Sequence, residues 1–208
     1  MYKNIIFDLG GVLVQFDPQQ FLLDRFCNAE VEKKVYELTF GSEEWQLLDA
    51  GKLTRMQGNA RMLEKANACG YSFEVQCVLD DWMRSLHTKK HAAEILLRLH
   101  NMGFRLYYLS NIAEDTFELI QKRDFFSLFD GGLASYQLHV NKPDSRIFDA
   151  LMYKYNLSYD ETIFIDDNRK NAEAACALYI TGIHYQGASS LIRSLNSCGI
   201  QLKEHFLL

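Results

Sequence analysis

The sequence has little of several features that mark particular classes of protein. Its 208 residues include only 2 prolines and no low-complexity segment, so the composition gives no sign of disorder. The 5 cysteines are scattered, odd in number and lack a C-x-x-C pair, which argues against a disulfide framework or a zinc site. We therefore expect reduced and mostly buried thiols.

Long apolar runs and an excess of positive charge are also missing. The longest uncharged stretch, residues 174–192, is broken by polar side chains and glycines, and the apolar opening ends at Asp8, which is too early for a secretory signal. The net charge is -5, whereas binding to a nucleic-acid backbone needs clustered Lys and Arg. We expect a soluble, cytoplasmic protein without nucleic-acid or membrane partners, either a monomer or a small homo-oligomer.

The first 90 residues predict one strand followed by a long helical segment. Residues 2–8 form an apolar run that ends at two glycines, which is typical of a buried strand. From Pro18 to about Leu86 the apolar residues follow a helical period without a convincing strand. About seventy helical residues are too many for an ordinary crossover between strands. Residues 17–87 are therefore predicted to be an inserted, all-helical cap domain.

Strands and helices alternate in the rest of the chain. Further strands are predicted at residues 104–109, 131–135, 162–165 and 179–184, and helices at 92–102, 114–122, 147–155, 168–177 and 190–197. This alternation favours an α/β core with a doubly wound, Rossmann-like parallel sheet, formed by residues 1–16 and 88–208.

Polar residues follow the predicted strands at the points where each strand ends. Asp8 follows the first strand and Ser110-Asn111 the second, Lys142 precedes a helix, and Asp166-Asp167 follow the fourth strand, with Asn171 shortly after. In a doubly wound sheet the ligand binds beyond the carboxyl ends of the strands. Three carboxylates converging there would repel one another unless a hard divalent cation such as Mg²⁺ held them.

These residues resemble the motifs of the haloacid dehalogenase superfamily of aspartate-nucleophile hydrolases. All four motifs occur in the order of that family, and the helical insertion is similar to the cap of its first subclass. Within the family, Asp8-Leu9-Gly10-Gly11 together with Asp166-Asp167-Asn168 most resembles the sugar-phosphate phosphatases, including those that act on α-D-glucose 1-phosphate, and the phosphatase domain of soluble epoxide hydrolase.

The resemblance implies a role for each motif. Asp8 would be the nucleophile and Lys142 would screen the charge of the attack, while Ser110 and Asn111 would bind the phosphoryl group of a small phosphorylated metabolite. Mg²⁺ would be held by Asp8 and Asp167, with Asp166 and the main-chain carbonyl of Gly10 in or beside that shell, and Asn171 would orient the acidic loop.

The sequence departs from the family pattern at Gly10. Most phosphatases of the superfamily have a second aspartate there, which protonates the leaving group, and general acid–base catalysis is worth about 10²–10⁴-fold. The enzyme then acts on esters whose alcohol leaves easily, such as sugar 1-phosphates, or obtains a proton from the cap or from water, or is a weak or silent member of the family. Asp17, at the cap junction, is close enough in sequence to substitute, although its position before Pro18 also suits a helix N-cap.

Substrate selection is assigned to the cap. Trp45, Asp49 and Lys52 lie in a segment that resembles the cap loop facing the active site in this family, so they are candidates to contact the leaving group. Core packing is the alternative for Trp45.

Dehalogenases also lack the second aspartate, but their metal-free displacement would be hindered by an acidic cluster, so phosphoryl transfer is favoured. A phosphotransferase or mutase, and a binding or regulatory protein with an inactive core, remain as alternatives.

Overall fold

Five short strands form one parallel sheet in the computed structural model, which describes residues 1–203. The strands are β1 (Asn4–Phe7), β2 (Arg105–Ser110), β3 (Gly131–Ala134), β4 (Thr162–Asp166) and β5 (Thr181–His184), in the spatial order β3-β2-β1-β4-β5. Every residue of β1 is buried, as a central strand covered on both faces requires. Successive strands are added in opposite directions on the two sides of β1, so a crevice opens at its carboxyl end.

Five helices lie between residues 18 and 81, after β1. These are α1 (Pro18–Phe26), α2 (Ala29–Leu38), α3 (Glu43–Asp49), α4 (Arg55–Cys69) and α5 (Ser72–Asp81), followed by a 3₁₀ turn at Trp82–Ser85. Side-chain caps explain where two of them begin. The Asp17 carboxylate accepts a hydrogen bond from the backbone N–H of Gln20 at 3.0 Å, and Thr54 forms a capping box with Gln57.

Two segments join these helices to the sheet, and they run side by side. The N–H of Gln15 donates to the carbonyl of His87 at 2.7 Å, and Val14 pairs with Thr88 in an antiparallel bridge. The predicted division of the chain into core and cap falls beside this pairing.

The remaining helices cover both faces of the sheet. They are α6 (Lys90–Asn101), α7 (Glu114–Ile120), α8 (Ser135–Leu138), α9 (Ser145–Lys154), α10 (Arg169–Ala177) and α11 (Ala188–Ser197). Ile5 and Phe7 of β1 pack into one apolar cluster and Ile6 into a second, because successive side chains of a strand point to opposite faces. The predicted doubly wound α/β fold is confirmed. Within residues 1–203, no helix combines the length and apolar character needed to cross a bilayer.

Some predicted bounds and one expectation about burial need correction. The predicted strand at residues 131–135 ends at Ala134, because Ser135 begins the short helix α8, which is too short to show a helical period. The cysteines are unbridged, as expected, but they are not mostly buried. Cys27, Cys69 and Cys176 are exposed, and Cys27 and Cys69 lie at the ends of cap helices, where a side chain faces solvent.

Candidate active site

Asp8 lies at the carboxyl end of β1, beneath the surface of the crevice. Its N–H continues the sheet by donating to the carbonyl of Ile165 at 2.8 Å, which fixes the main chain of this residue. One carboxylate oxygen accepts hydrogen bonds from the N–H of Leu9 and from the hydroxyl of Ser110, both at 2.7 Å. The other oxygen lies 3.0 Å from Nζ of Lys142. The residue is only 8% exposed, so both oxygens have fixed directions.

Lys142 is the fully buried cation of the site. Its Nζ lies between the two carboxylates, 3.0 Å from Asp8 and 2.6 Å from Asp166, and it also donates to the carbonyl of Leu109 at 2.8 Å. The Asn111 side chain fixes the main chain of Lys142 from both sides: its amide donates to the carbonyl at 2.9 Å, and its oxygen accepts from the N–H at 2.7 Å. Asn111 therefore holds the Lys142 loop against the end of β2.

The two acidic residues after β4 have different surroundings. The Asp166 carboxylate is fully buried and accepts hydrogen bonds from the N–H of Asn168 at 2.8 Å and from the Asn171 amide at 3.1 Å, in addition to Lys142. Asp167 is exposed to the crevice. Carboxylate oxygens of Asp8, Asp166 and Asp167 all lie within 4.8 Å of one another. Asn171 thus supports Asp166, and Asp167 keeps an open side toward solvent.

The electrostatics of this group fit a divalent cation. Burial raises the pKa of Asp8 to about 8, against the opposing charge of Lys142, and the charges of Asp166 and Asp167 raise it further. Burial and the charge of Asp166 also raise the pKa of Asp167. Oxygen ligands with excess negative charge are what Mg²⁺ prefers in proteins. Asp167, whose carboxylate is exposed to the crevice, is better placed to hold such an ion directly than Asp166, whose buried oxygens are hydrogen-bonded.

Two further residues belong to this site, and the sequence analysis predicted no role for either of them. Gly11 has a φ of +74°, and a Cβ added to it would lie 2.0 Å from a carboxylate oxygen of Asp167. The side chain of Lys89 donates to the carbonyl of Gly11 and lies 5.4 Å from the centre of the Tyr185 ring. Burial lowers the pKa of Lys89, while the charge of Asp167 acts to raise it. For Gly11 the sequence offered one signal, the pair of adjacent glycines, and for Lys89 it offered none.

An open, polar cleft of about 520 Å³ leads to Asp167. Gly11, Lys89 and Tyr185 line it, together with Asp17. Asp17 is exposed, and its carboxylate is used to cap α1.

A second, much smaller pocket of about 50 Å³ lies on the Ser110 side of the site. Gly10, Asp49, Ser110 and Asn111 line it. Apolar side chains complete its wall: Val14, Phe16, Trp45, Trp82, Leu86, Ile112 and Ile120. The cap and the core both contribute to the lining of this pocket.

The three residues predicted to contact the leaving group lie in different places. Trp45 is buried in an aromatic cluster, and the centre of its ring lies 4.7 Å from that of Phe40 and 4.8 Å from that of Trp82. It also lines the small pocket with Asp49. Packing and pocket lining thus both apply to Trp45. Lys52 is exposed and lines outer hollows shared with His139, away from Gly10 and Ser110.

Side chains of the core donate hydrogen bonds to main-chain carbonyls of the cap segment around Asp49. The Ser135 hydroxyl donates to the carbonyl of Asp49 and accepts from the N–H of Ile112 at 2.9 Å. The Asn141 amide donates to the carbonyl of Gln46 at 2.9 Å. Sequence reasoning missed Ser135, because a buried serine at the end of a strand carries no signal for a partner 86 residues away.

Comparisons with known proteins bear on the family to which this chain belongs. Residues 2–178 match the family model of the haloacid dehalogenase-like hydrolases. A curated relative, the sesquiterpene phosphatase astK of Aspergillus oryzae, is 26% identical over 88% of this chain and 89% of its own length. The D-ribitol-5-phosphate phosphatase of Bacteroides thetaiotaomicron is 26% identical over 82% of this chain and 85% of its own length. The drimenol cyclase drtB of Aspergillus calidoustus is also 26% identical, but the match covers only 36% of that protein.

Solved structures share the fold. A predicted HAD-like family hydrolase of Porphyromonas gingivalis superposes with a TM-score of 0.73 at 22% identity, covering 97% of this chain and 100% of the other. A HAD family enzyme of Bacteroides thetaiotaomicron, solved with magnesium and inorganic phosphate, gives 0.65 at 23% identity over 87% and 92% of the two chains. With the family model matched over most of its length, this chain belongs to the haloacid dehalogenase-like hydrolases.

Proposed function

We propose that this chain is a Mg²⁺-dependent phosphatase that hydrolyses small phosphate monoesters through an aspartyl-phosphate on Asp8. The observation that carries the proposal is the buried Asp8 carboxylate, held by Ser110 and Lys142 within 4.8 Å of two further carboxylates. An acidic cluster with an internal lysine suits phosphoryl transfer, where charge on the phosphate has to be balanced. The relatives named as phosphatases support the same class of reaction.

In the first step, an oxygen of Asp8 attacks phosphorus and the bond from phosphorus to the ester oxygen breaks. The Ser110 hydroxyl and Lys142 Nζ lie at hydrogen-bonding distance from Asp8, so they are placed to contact the phosphoryl oxygens as they approach it. Water then attacks the acyl phosphate, which releases phosphate and restores the Asp8 carboxylate.

Asp8 and Asp167 would hold Mg²⁺, with Asp166 and the carbonyl of Gly10 beside it, and the ion would supply positive charge between the carboxylates and the phosphate. Asp166 also keeps Lys142 charged and in place through the 2.6 Å ion pair. Burial disfavours the charge on Lys142, but Asp166 and Asp8 outweigh it and raise the pKa of the lysine.

The substrate class follows from the small pocket and from Gly10. If no other residue supplies the proton in place of an aspartic acid at position 10, esters of acidic alcohols should react more readily, and sugar 1-phosphates and aryl phosphates would then be favoured over sugar 6-phosphates. The apolar walls formed by Trp45 and Trp82 suit a leaving group with an apolar face. Asp49 lines the same space. The contact proposed for Lys52 has less support, because its side chain is exposed outside this pocket.

The test is phosphate release from a panel of esters, measured with Mg²⁺ and with EDTA. The panel contains sugar 1-phosphates, sugar 6-phosphates, aryl phosphates and an isoprenoid monophosphate. We expect release only with Mg²⁺, and Asp8→Asn should lower kcat on the order of 10³-fold or more, because the amide is not a nucleophile. Asp160→Asn, at an exposed carboxylate away from the site, is the matched control and should keep normal turnover.

Each alternative function predicts a different result when the same proteins are assayed. An inactive binding protein would bind inorganic phosphate but release none from any ester. A dehalogenase would release halide from a 2-haloacid in EDTA, and a phosphotransferase would pass the phosphoryl group to an added alcohol instead of water. Near-normal turnover by Asp8→Asn would exclude the aspartyl-phosphate.

A further inference from the structure

The proposed reaction lacks one group at its expected position, and the inference that follows rests on that reaction. When the bond between phosphorus and the ester oxygen breaks, the departing oxygen needs a proton unless the alcohol is unusually acidic. The residue two positions after the nucleophile cannot supply it, because it is Gly10. Space is available there, since a Cβ on Gly10 would have its nearest neighbour, the Cβ of Phe16, at 3.9 Å. The small pocket therefore opens where an acidic side chain is missing.

Asp49, the last residue of α3, lines that same pocket from the cap. It shares the pocket with Gly10, Ser110 and Asn111, which places it beside the residues proposed to bind the phosphoryl group. Among the residues lining this pocket in the described part of the chain, it is the only one with an ionisable side chain. The apolar wall shields it from bulk water, which favours direct transfer of a proton to a bound substrate.

The main chain of Asp49 is fixed relative to the phosphate-binding loop. One hydroxyl, that of Ser135, bonds both the carbonyl of Asp49 and the N–H of Ile112, two residues after Ser110. The main chain of this cap residue is thereby held close to the end of β2. A proton donor needs such a fixed position, because transfer requires a distance of about 2.6–3.2 Å to the departing oxygen.

The other candidate from the sequence, Asp17, is placed differently. Its carboxylate caps α1 by accepting from Gln20, it is exposed, and it lines the open cleft near Lys89. Asp115 on α7 is engaged by Arg55 in a two-point ion pair with distances of 2.8 and 3.1 Å. Neither lines the small pocket.

We propose that Asp49 is the general acid and base of this enzyme, replacing the carboxyl group that is absent at Gly10. In the first step its carboxyl proton passes to the ester oxygen as the bond to phosphorus breaks, which yields the free alcohol and the Asp49 carboxylate. In the second step that carboxylate takes a proton from the attacking water as the bond between phosphorus and Asp8 breaks. Phosphate leaves, and both aspartates return to their starting protonation states.

The charges around Asp49 are consistent with both roles. Burial raises its pKa to about 7, so the carboxyl group can give and take a proton near neutral pH. Arg55 on α4 and Lys142 beyond β3 lower this pKa, as does the N–H of Ala113, while Asp115 on α7 raises it.

The test compares Asp49→Asn with wild-type enzyme on two kinds of ester, with single-turnover measurements that isolate the first chemical step. For an alkyl phosphate, whose alcohol needs a proton, we expect the rate to fall about 10²–10⁴-fold. For 4-nitrophenyl phosphate, whose phenolate leaves unaided, the first step should fall less than about 10-fold. We also expect the wild-type rate on the alkyl ester to fall above about pH 7, and this fall should be absent from Asp49→Asn.

Three controls separate this role from a structural one. Asp17→Asn, which keeps a capping side chain, should retain the wild-type ratio of the two rates. Gly10→Asp in the Asp49→Asn background should recover part of the alkyl phosphate rate, because the new carboxyl group has room. Inorganic phosphate binding by Asp49→Asn should match that of wild-type protein, and its melting temperature should be no lower than that of wild-type protein.

Equal losses on both esters, or no loss on the alkyl ester, would overturn the role of Asp49 while leaving the phosphatase intact. A wild-type protein that releases phosphate from neither ester would instead overturn the proposed function, and the role of Asp49 with it.

Discussion

At the scale of single residues, the adjacent Gly10 and Gly11 differ in backbone conformation and in the space available for a side chain. Gly10 lies outside the left-handed region, and a Cβ there would meet only Phe16 at ordinary contact distance. Gly11 has a positive φ, and its missing side chain leaves the space that the Asp167 carboxylate fills. The two glycines predicted where β1 ends, but the difference between them depends on the contact of Gly11 with Asp167, which is distant in the sequence.

We predict that Gly11→Ala raises the Mg²⁺ concentration needed for half-maximal activity by at least about 10-fold and destabilises the fold by about 1–2 kcal/mol. The methyl group would displace Asp167 and would hold an L-residue in a left-handed conformation. Mg²⁺ titrations of phosphate release and urea unfolding measure the two effects. Gly10→Ala is the matched control and should change both much less. Similar Mg²⁺ curves for the two variants would contradict this account of Gly11.

The sequence predicted the site residues that follow strands more easily than those that act through the main chain. Asp8, Ser110 and Asp166 could be found because parallel strands end at one edge of a sheet. Ser135 and Lys89 could not, because each acts on a carbonyl oxygen, and every residue has one. No pattern of residue types marks such a partner.

At the scale of elements, helix starts followed from local sequence, whereas contacts between cap and core did not. Asp144, directly after Pro143, accepts from the N–H of Arg146 at the start of α9, which is a contact between neighbours in the sequence. By contrast, Arg55 at the start of α4 reaches Asp115 on α7 in the core, and its guanidinium lies 5.3 Å from the ring centres of both Trp45 and Trp82. This contact joins two elements that are distant in sequence, so only the folded chain reveals it.

We predict that Asp115→Asn lowers the melting temperature by about 2–4 °C. The ion pair is partly buried and bidentate, so its loss should cost about 1 kcal/mol, which corresponds to that shift for a chain of this length. Glu37→Gln removes an exposed pair with Lys34 within the cap and is the matched control, expected to shift the midpoint by less than about 1 °C. Thermal melts followed by circular dichroism compare the two, and equal shifts would mean that the Arg55 pair does not help to hold cap and core together.

At the scale of the whole molecule, the buried acidic residues should make the free energy of unfolding depend on pH. Asp8, with a pKa of about 8, and Asp49, with a pKa of about 7, both have folded-state values above the unfolded value, and Asp167 is shifted in the same direction. The folded protein therefore binds more protons than the unfolded chain between about pH 4 and pH 8, so stability falls as pH rises through this window. The raised pKa of Lys142 does not oppose this trend, because that lysine is charged in both states there.

We predict that in EDTA the melting temperature falls from pH 5 to pH 8, and that Mg²⁺ restores it most at pH 8. A bound cation replaces the protons that the carboxylates hold at low pH, so metal affinity should rise with pH. At 100 times its dissociation constant, Mg²⁺ adds about 2.7 kcal/mol, or about 5–10 °C for a chain of this length.

Asp167→Ala tests the source of this behaviour. The variant should be at least as stable as wild-type protein in EDTA at pH 8, because one of three repelling carboxylates is gone, and it should gain almost nothing from Mg²⁺. Thermal melts at pH 5 and pH 8, each with Mg²⁺ and with EDTA, give all the required comparisons. If the variant were strongly destabilised yet still responded to Mg²⁺, Asp167 would serve the α10 turn and not the cation, and the metal site would have to be assigned to other ligands.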